Sequence, residues 1–298
     1  MNCILCKSGH LRLKDRDVFD FEYSSKGAYS YWKCEACGLL HISPVPDEQK
    51  LNEAYPVTYH AYHPQPTSLA RYLKKEYWRK KAYSYSRFVN KESSILEVGC
   101  SFGDLMLEIR TLGFKYLKGL DFNREVVKKA RQRGLDVFQG DLETCSFSEE
   151  SFQMVIMNNF IEHVYNPLES IQRCNSLLSR GGIVIGETPN IDSWDYKLFR
   201  RHWGGYHTPR HLYLFTTNNI NILAEKSGFR VKSIRNLLQP AHWALSVQNL
   251  MQSSGLKTGL NNGRCPYFTL LIVLSLPINI LQMWLSKTSL VEFVFEKI

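Results

Sequence analysis

Between residues 93 and 190 apolar residues gather into short runs, each closing on a polar residue and followed by a segment of mixed or amphipathic character. That pattern predicts strands alternating with helices, and hence a parallel sheet. The first run, ILEV (Ile95 to Val98), passes through the glycine-bounded turn GCSFG into the amphipathic DLMLEIRTLG. A second, YLKGLDF, ends at Asp121; a third, LDVFQGD, ends at Asp141; a fourth, SFQMVIMN, ends at Asn158 and Asn159. A fifth lies within LLSRGGIVIGETPN, and RVKSIRNLL and the closing SLVEFVFEKI read as two more strands.

The carboxyl edge of such a sheet is where small molecules bind, and here it carries a polar residue at one strand end after another. Any one of these residues could simply cap the following helix, but four in register ask for more than capping. A dinucleotide site wants glycine at the first, third and sixth places of the turn, whereas those places hold Gly99, Ser101 and Asp104. An acid at the helix entrance repels a diphosphate. The ammonium of S-adenosylmethionine suits Glu97 or Asp104, and Asp121, just over 20 residues past the turn, suits a ribose diol.

ILEVGCSFG, GLDF, GDLE, NNFIEHV and LLSRGGIVIGETPN together resemble the ordered motifs of class I S-adenosylmethionine-dependent methyltransferases, over Ser93 to Asn190. The resemblance implies a doubly wound, mainly parallel seven-stranded sheet of Rossmann-like type, closed by an antiparallel last strand. It also implies that Glu97, Gly99 and Gly103 shape the methionine pocket, with Cys100 and Ser101 in the same turn. Asp121 with Phe122 would hold the ribose, Asp141 and Leu142 would flank the adenine, and Asn158 would close the site. The departure is Ser101, where many members have glycine.

Ahead of this domain stand two CxxC pairs, Cys3 with Cys6 and Cys34 with Cys37, about 27 residues apart. Four thiolates close a tetrahedral shell around Zn2+ and leave no position for water, so the expected metal is a structural staple. Two disulfides would need an oxidising compartment, for which no signal is present. Cys100, Cys145, Cys174 and Cys265 lack metal spacing and read as small packing residues. The expected organisation is a zinc module at 1–43, a proline-rich linker and basic, aromatic helix at 44–92, and the methyltransferase domain at 93–298. In the linker Tyr55, Tyr59, His60, Tyr62 and His63 could lid a pocket. Lys74, Lys75, Arg79, Lys80 and Lys81 read as phosphate contacts or as a solvated helix face.

After the fifth strand, residues 190–216 are rich in histidine, arginine and aromatics and form the expected substrate loop. The four cysteines, the EHV of Glu162 to Val164 and the WGGYHTPRH of Trp203 to His211 resemble the type 23-like methyltransferases, a subfamily associated with cell-surface glycans and secondary metabolites. Methyl transfer is an in-line displacement, and an alcohol or enolisable carbon must lose its proton, a task suited to imidazole. His163, His207 and His211 are the candidates, each equally able to serve as a structural hydrogen-bonding group.

Residues 266–285 run uncharged for about 20 residues, inside an expected helical insertion at 241–287. An odd number of membrane crossings cannot separate two strands of one sheet, and the preceding AHWALSVQNLMQSSGLKTG is too polar for a convincing second span, which disfavours a full traverse. Pro277 and Asn279 divide the run into two short halves, either dipping into one leaflet or packed on the domain or a second subunit. The start has no secretory signal, which predicts a cytoplasmic protein, peripheral or monotopic on the inner membrane face. The net charge of +9 suits an anionic partner. The fourth strand is followed by NNFIEH rather than an Asn/Asp-Pro-Pro-aromatic motif, which disfavours methylation of nucleobase amino groups. The expected reaction is methylation of oxygen or carbon on a small or lipid-linked acceptor, with a sugar preferred and a quinone or other aromatic ring as the alternative. RNA methylation, and a zinc-containing binding protein with a vestigial pocket, are the remaining readings; a homo-oligomer stays open.

Overall fold

The first strands, β1 (Leu11–Val18), β2 (Tyr29–Cys34) and β3 (Leu40–Ser43), form an antiparallel meander set off by the two cysteine turns. The computed structural model describes residues 2–23, 27–56, 68–256 and 258–298; Tyr59, His60, Tyr62 and His63 lie outside them. A short helix, α1 (Glu48–Glu53), falls in the stretch read as linker, and α2 (Ser68–Ser86) is the basic, aromatic helix. Then follow β4 (Ile95–Val98), α3 (Asp104–Thr111), β5 (Leu117–Asp121), α4 (Arg124–Gln132), β6 (Val137–Gln139), β7 (Phe152–Asn158), α5 (Pro167–Leu177) and β8 (Leu178–Pro189). The chain ends with α6 (Trp194–Phe199), β9 (Tyr213–Leu214), α7 (Thr217–Lys226), β10 (Phe229–Leu237), α8 (Pro240–Ser253), α9 (Phe268–Trp284) and β11 (Leu290–Lys297).

Seven of these strands make one sheet in the order β10-β11-β8-β7-β4-β5-β6. Five of them, β8-β7-β4-β5-β6, are parallel, and β11 runs antiparallel between β8 and β10. Covered on both faces, β4 and most of β7 and β8 are buried without alternation, which is why their sequences read as continuous apolar runs. The seven-stranded, mainly parallel architecture is the expected one. Order reverses between β4 and β7, placing the carboxyl ends of those strands at the switch point where such sheets bind ligands.

A second sheet of four strands, β1-β2-β3-β9, joins the amino-terminal segment to the substrate loop. Strand β9 is only two residues long, pairing Leu40 with Leu214 and His41 with Tyr213. The two segments share one apolar core, in which Tyr31, Leu40 and Ile42 meet Trp203, Tyr206 and Leu212. Inside it, Asp15 accepts hydrogen bonds from Tyr196 Oη at 3.2 Å and Tyr206 Oη at 2.7 Å, and Trp203 Nε1 donates to Asp195 at 2.8 Å. The cysteine turns are buried in turn against the core of the large sheet, in company with Leu96, Phe215 and Ile220.

The apolar stretch differs from expectation. Helix α9 continues unbroken through Pro277 instead of dividing there. The lost backbone hydrogen bond is offset by polar packing on α8: Asn279 Oδ1 accepts from Gln239 N at 2.7 Å, and Gln282 Oε1 accepts from Trp243 Nε1 at 2.7 Å. Among the described residues no helix is long and apolar enough to cross a membrane.

Trp203 is buried to 1% exposure at the centre of the shared core. Trp203→Ala is expected to lower stability by about 3–5 kcal/mol, read as an earlier urea midpoint at unchanged slope.

Candidate active site

The turn after β4 folds as it does because its backbone is left-handed at three places, Gly99 (φ 67°), Ser101 (φ 49°) and Gly103 (φ 73°). A Cβ on Gly103 would sit 2.1 Å from Leu135 Cδ1, so glycine is required there on steric as well as conformational grounds. Ser101 accepts the unfavourable conformation, and its N–H donates to Asp121 Oδ2 at 2.9 Å. The other Asp121 oxygen takes the Asn123 N–H at 3.0 Å, and Gly140 N reaches the Asp121 carbonyl at 3.1 Å. The ends of β4, β5 and β6 are thereby tied together, with Asp141 exposed and Leu142 buried beside them. Cys100 is packed inward, and burial pushes its thiol well up. Phe122 is half exposed and meets Tyr55 edge-on at 6.2 Å between centroids.

Buried polar atoms without partners collect along this edge. Glu97 Oε2 at the end of β4, Asn158 Nδ2 at the end of β7, Glu187 Oε1 on β8 and Glu162 Oε1 just past β7 all lack a hydrogen bond. Orphans of this kind are costly, and several at one crevice mark a place that a polar ligand completes. Burial, with Asp104 and Asp121 adding to it, pushes Glu97 up to about 8. Asp104, the other acid proposed for the ammonium, is instead engaged by Lys74 at 2.8 Å and Arg133 at 2.7 Å. Glu97 is therefore the carboxylate that fits a methionine ammonium, and Asp121 keeps lone pairs for a diol.

Helix α2 supports the edge from below, which sequence reasoning missed. Lys81, read as a solvated or phosphate-binding cation, is buried and donates to Glu187 Oε2 at 2.6 Å. Burial opposes its charge, but Glu187 outweighs that and raises its pKa. Tyr85 Oη donates to Asn158 Oδ1 at 2.8 Å. The positional signal was faint: Tyr77, Lys81 and Tyr85 recur at helical spacing.

Across the crevice stand the three candidate histidines. His163 Nδ1 lies 3.0 Å from the Arg210 carbonyl and 3.3 Å from Tyr55 Oη. His211 Nδ1 lies 2.9 Å from the Gly205 carbonyl, and the two rings meet edge-on at 4.6 Å. Burial pushes His163 down to about 4, holds His211 well below the ordinary imidazole value and pushes Glu162 up to about 8. His207 is turned away: its Nδ1 is 2.5 Å from Glu22, while its ring stays 5.0 Å from His211. Glu22 also takes Arg264 and, at 3.3 Å, the buried Arg210, whose second acid is Asp20.

A family profile described as a methyltransferase domain matches residues 60–234. The chain belongs to the S-adenosylmethionine-dependent methyltransferases. A probable S-adenosylmethionine-dependent methyltransferase of Mycolicibacterium smegmatis is 27% identical over 52% of this chain and 60% of its own length. A ubiquinone biosynthesis O-methyltransferase of Xanthomonas campestris is 32% identical over 36% of this chain and 48% of its own. The chain thus matches only about half of each relative. In fold, a methyltransferase of Archaeoglobus fulgidus superposes with TM-score 0.52 at 19% identity, over 75% of this chain and 94% of that one.

At the amino end of the methyltransferase all four cysteines are free thiols whose sulfurs lie within 4.8 Å of one another. Cys3 and Cys37 are 3.6 Å apart, Cys6 and Cys34 3.5 Å. These are far beyond a disulfide and close to the edge of a ZnS4 tetrahedron, about 3.8 Å for Zn–S bonds of about 2.3 Å. The donor set fits structural zinc, which would cross-link the two cysteine turns.

Two expectations follow. At pH 7 Glu97 is mostly protonated and the cofactor's amine mostly charged, so binding S-adenosylmethionine releases close to one proton, fading as pH rises past 8. Calorimetry in buffers of different ionisation enthalpy reads this, and Glu97→Gln removes the release and weakens binding about tenfold or more. Cys6→Ser lowers the metal content by one equivalent against the parent chain, read by elemental analysis.

Proposed function

We propose that this methyltransferase moves the methyl group of S-adenosylmethionine to a hydroxyl oxygen on an aromatic ring of the quinone type, held at a membrane surface by an apolar tail. The observation that carries the reading is the cluster of Glu162, His163 and His211 past the carboxyl end of β7. Both imidazoles are held through Nδ1 by backbone carbonyls, which leaves the Nε2 lone pair of each to act on an acceptor hydroxyl, by taking its proton or by holding an ion that binds its oxygen.

When bound, S-adenosylmethionine supplies an electrophilic methyl on a positively charged sulfur. The chain's part is positional and electrostatic. Glu97 would hold the cofactor's ammonium and Asp121 its ribose. Phe160, two residues before Glu162, lies against Gly99, where an added Cβ would meet its ring at 3.2 Å. That contact sets the acceptor cluster beside the cofactor turn. Tyr55 lies between Phe122 on one side and His163 on the other, covering the join and limiting water.

Relatives named as ubiquinone biosynthesis O-methyltransferases favour oxygen over carbon and a ring over the sugar preferred from sequence. The outer face of α9 supports an apolar tail. Leu270, Val273, Leu274, Leu281, Trp284 and Leu285 are exposed at helical spacing, and no charged residue falls between Pro266 and Leu285. A stripe ending in tryptophan suits an interface, and the net charge of +9 favours an anionic leaflet.

The test is transfer of labelled methyl by full-length protein to a prenylated catechol in anionic vesicles, a water-soluble catechol and a lipid-linked sugar. The expected outcome is a methyl ether on both catechols, with the higher kcat/KM for the vesicle-held one. Label on the sugar alone, on carbon, or on none of the three overturns the proposal.

A further inference from the structure

Glu162 poses a problem that the acceptor reading leaves unsolved. Its side chain is fully buried, with 0% exposure, and only one of its oxygens is used: Oε2 accepts from Thr188 Oγ1 at 3.0 Å. Oε1 has no partner. The facing nitrogen, His211 Nε2, stands 3.9 Å away, too far for a hydrogen bond. It is nevertheless within the span of one shared ion, because two ligands at about 2.1 Å from a metal reach up to about 4.2 Å apart. One ligand atom from each of Glu162, His163 and His211 lies within 4.8 Å of the others.

The surroundings are those of ligands rather than of a hydrogen-bonded core. A metal-binding imidazole ordinarily donates its other nitrogen's proton to a carbonyl or carboxylate, which fixes the tautomer and aims the lone pair. Here the Arg210 and Gly205 carbonyls sit 3.0 and 2.9 Å from Nδ1 of His163 and His211. The segments are also clamped together, since Leu212 N donates to the Glu162 carbonyl at 2.8 Å. Arg210, close by, directs its guanidinium elsewhere, onto Asp20, Glu22 and the Ala54 carbonyl. Two imidazoles and one carboxylate suit zinc or another first-row divalent ion better than magnesium or calcium, and three protein ligands leave positions open.

We infer that Glu162, His163 and His211 form a binding site for a divalent transition-metal ion, separate from the four-cysteine staple and open toward the acceptor. One carboxylate against a doubly charged ion leaves a single positive charge, matched to an acceptor oxygen that has released its proton to water. A ring bearing two adjacent oxygens would fill two open positions at once. That role rests on the function proposed above; the metal binding does not.

The test therefore reads metal without acceptor or cofactor. Full-length protein is saturated with Zn2+, desalted and analysed for metal, then loaded with Co2+ for visible spectroscopy. The parent chain is expected to hold two equivalents, Cys6→Ser one and Glu162→Gln one. Glu162→Gln keeps the intense thiolate-to-cobalt band, loses the weak band of the nitrogen–oxygen site, and binds its second equivalent at least tenfold more weakly. His211→Gln serves as the second variant if Glu162→Gln does not fold by circular dichroism. One equivalent in the parent chain, or an unchanged second equivalent in a folded variant, overturns the inference. Two equivalents without transfer to any catechol overturns the proposed reaction instead.

Discussion

A buried arginine organises this protein. Arg210 is 1% exposed, and such a charge is tolerable inside a protein only if fixed anions meet it. It draws Asp20 and Glu22 from the amino-terminal sheet and the Ala54 carbonyl from beyond α1, while Glu22 recruits His207 from the loop and Arg264 from the segment ahead of α9. Four stretches far apart in sequence converge on this one cluster of charges. Removing one partner from such a group costs about 3–5 kcal/mol because the others are left unbalanced. The same residue's backbone carbonyl orients His163, so the electrostatic lock and the acceptor cluster are one piece of construction.

On the far side of the crevice the logic is reversed. Where Asp20 and Glu22 are paired with the arginine, Glu97, Asn158, Glu187 and Glu162 each leave an atom unmet. A folded chain bears that cost where a ligand completes the set, and the positions are all on or just past strands of the large sheet near its switch point. Glu97 illustrates the balance: its burial makes the charged form expensive, so a cationic partner gains from restoring it.

The strands and their polar ends were legible because they depend on local pattern: an apolar run, a glycine turn and an acid each sit within a few residues of one another. The CxxC pairs were legible for the same reason, since each pair sits within four residues and the four thiols do come together. What escaped is long-range. The pairing of His41 with Tyr213 involves a two-residue strand too short to show any period, and the Lys81–Glu187 pair joins residues 106 positions apart. Lysine among lysines on an exposed-looking helix gives no sign of which one turns inward. Pro277 was read by its local rule as a break, and tertiary hydrogen bonds from Asn279 and Gln282 overrode it. Asp20 and Glu22 carry no motif at all, and the WGGYHTPRH string that contains Arg210 does not say what its guanidinium meets.

The two-residue strand β9 has a consequence for how such proteins diversify. Because Leu214 and Tyr213 are zipped to Leu40 and His41, and Asn219 Nδ2 holds the Cys37 carbonyl at 2.7 Å, the loop at 190–216 is not a free-standing cassette. Grafting residues 190–216 alone onto a relative would strip away half of their support. The loop is inherited here together with a distant stretch of gene, and drift in one constrains which changes the other can accept.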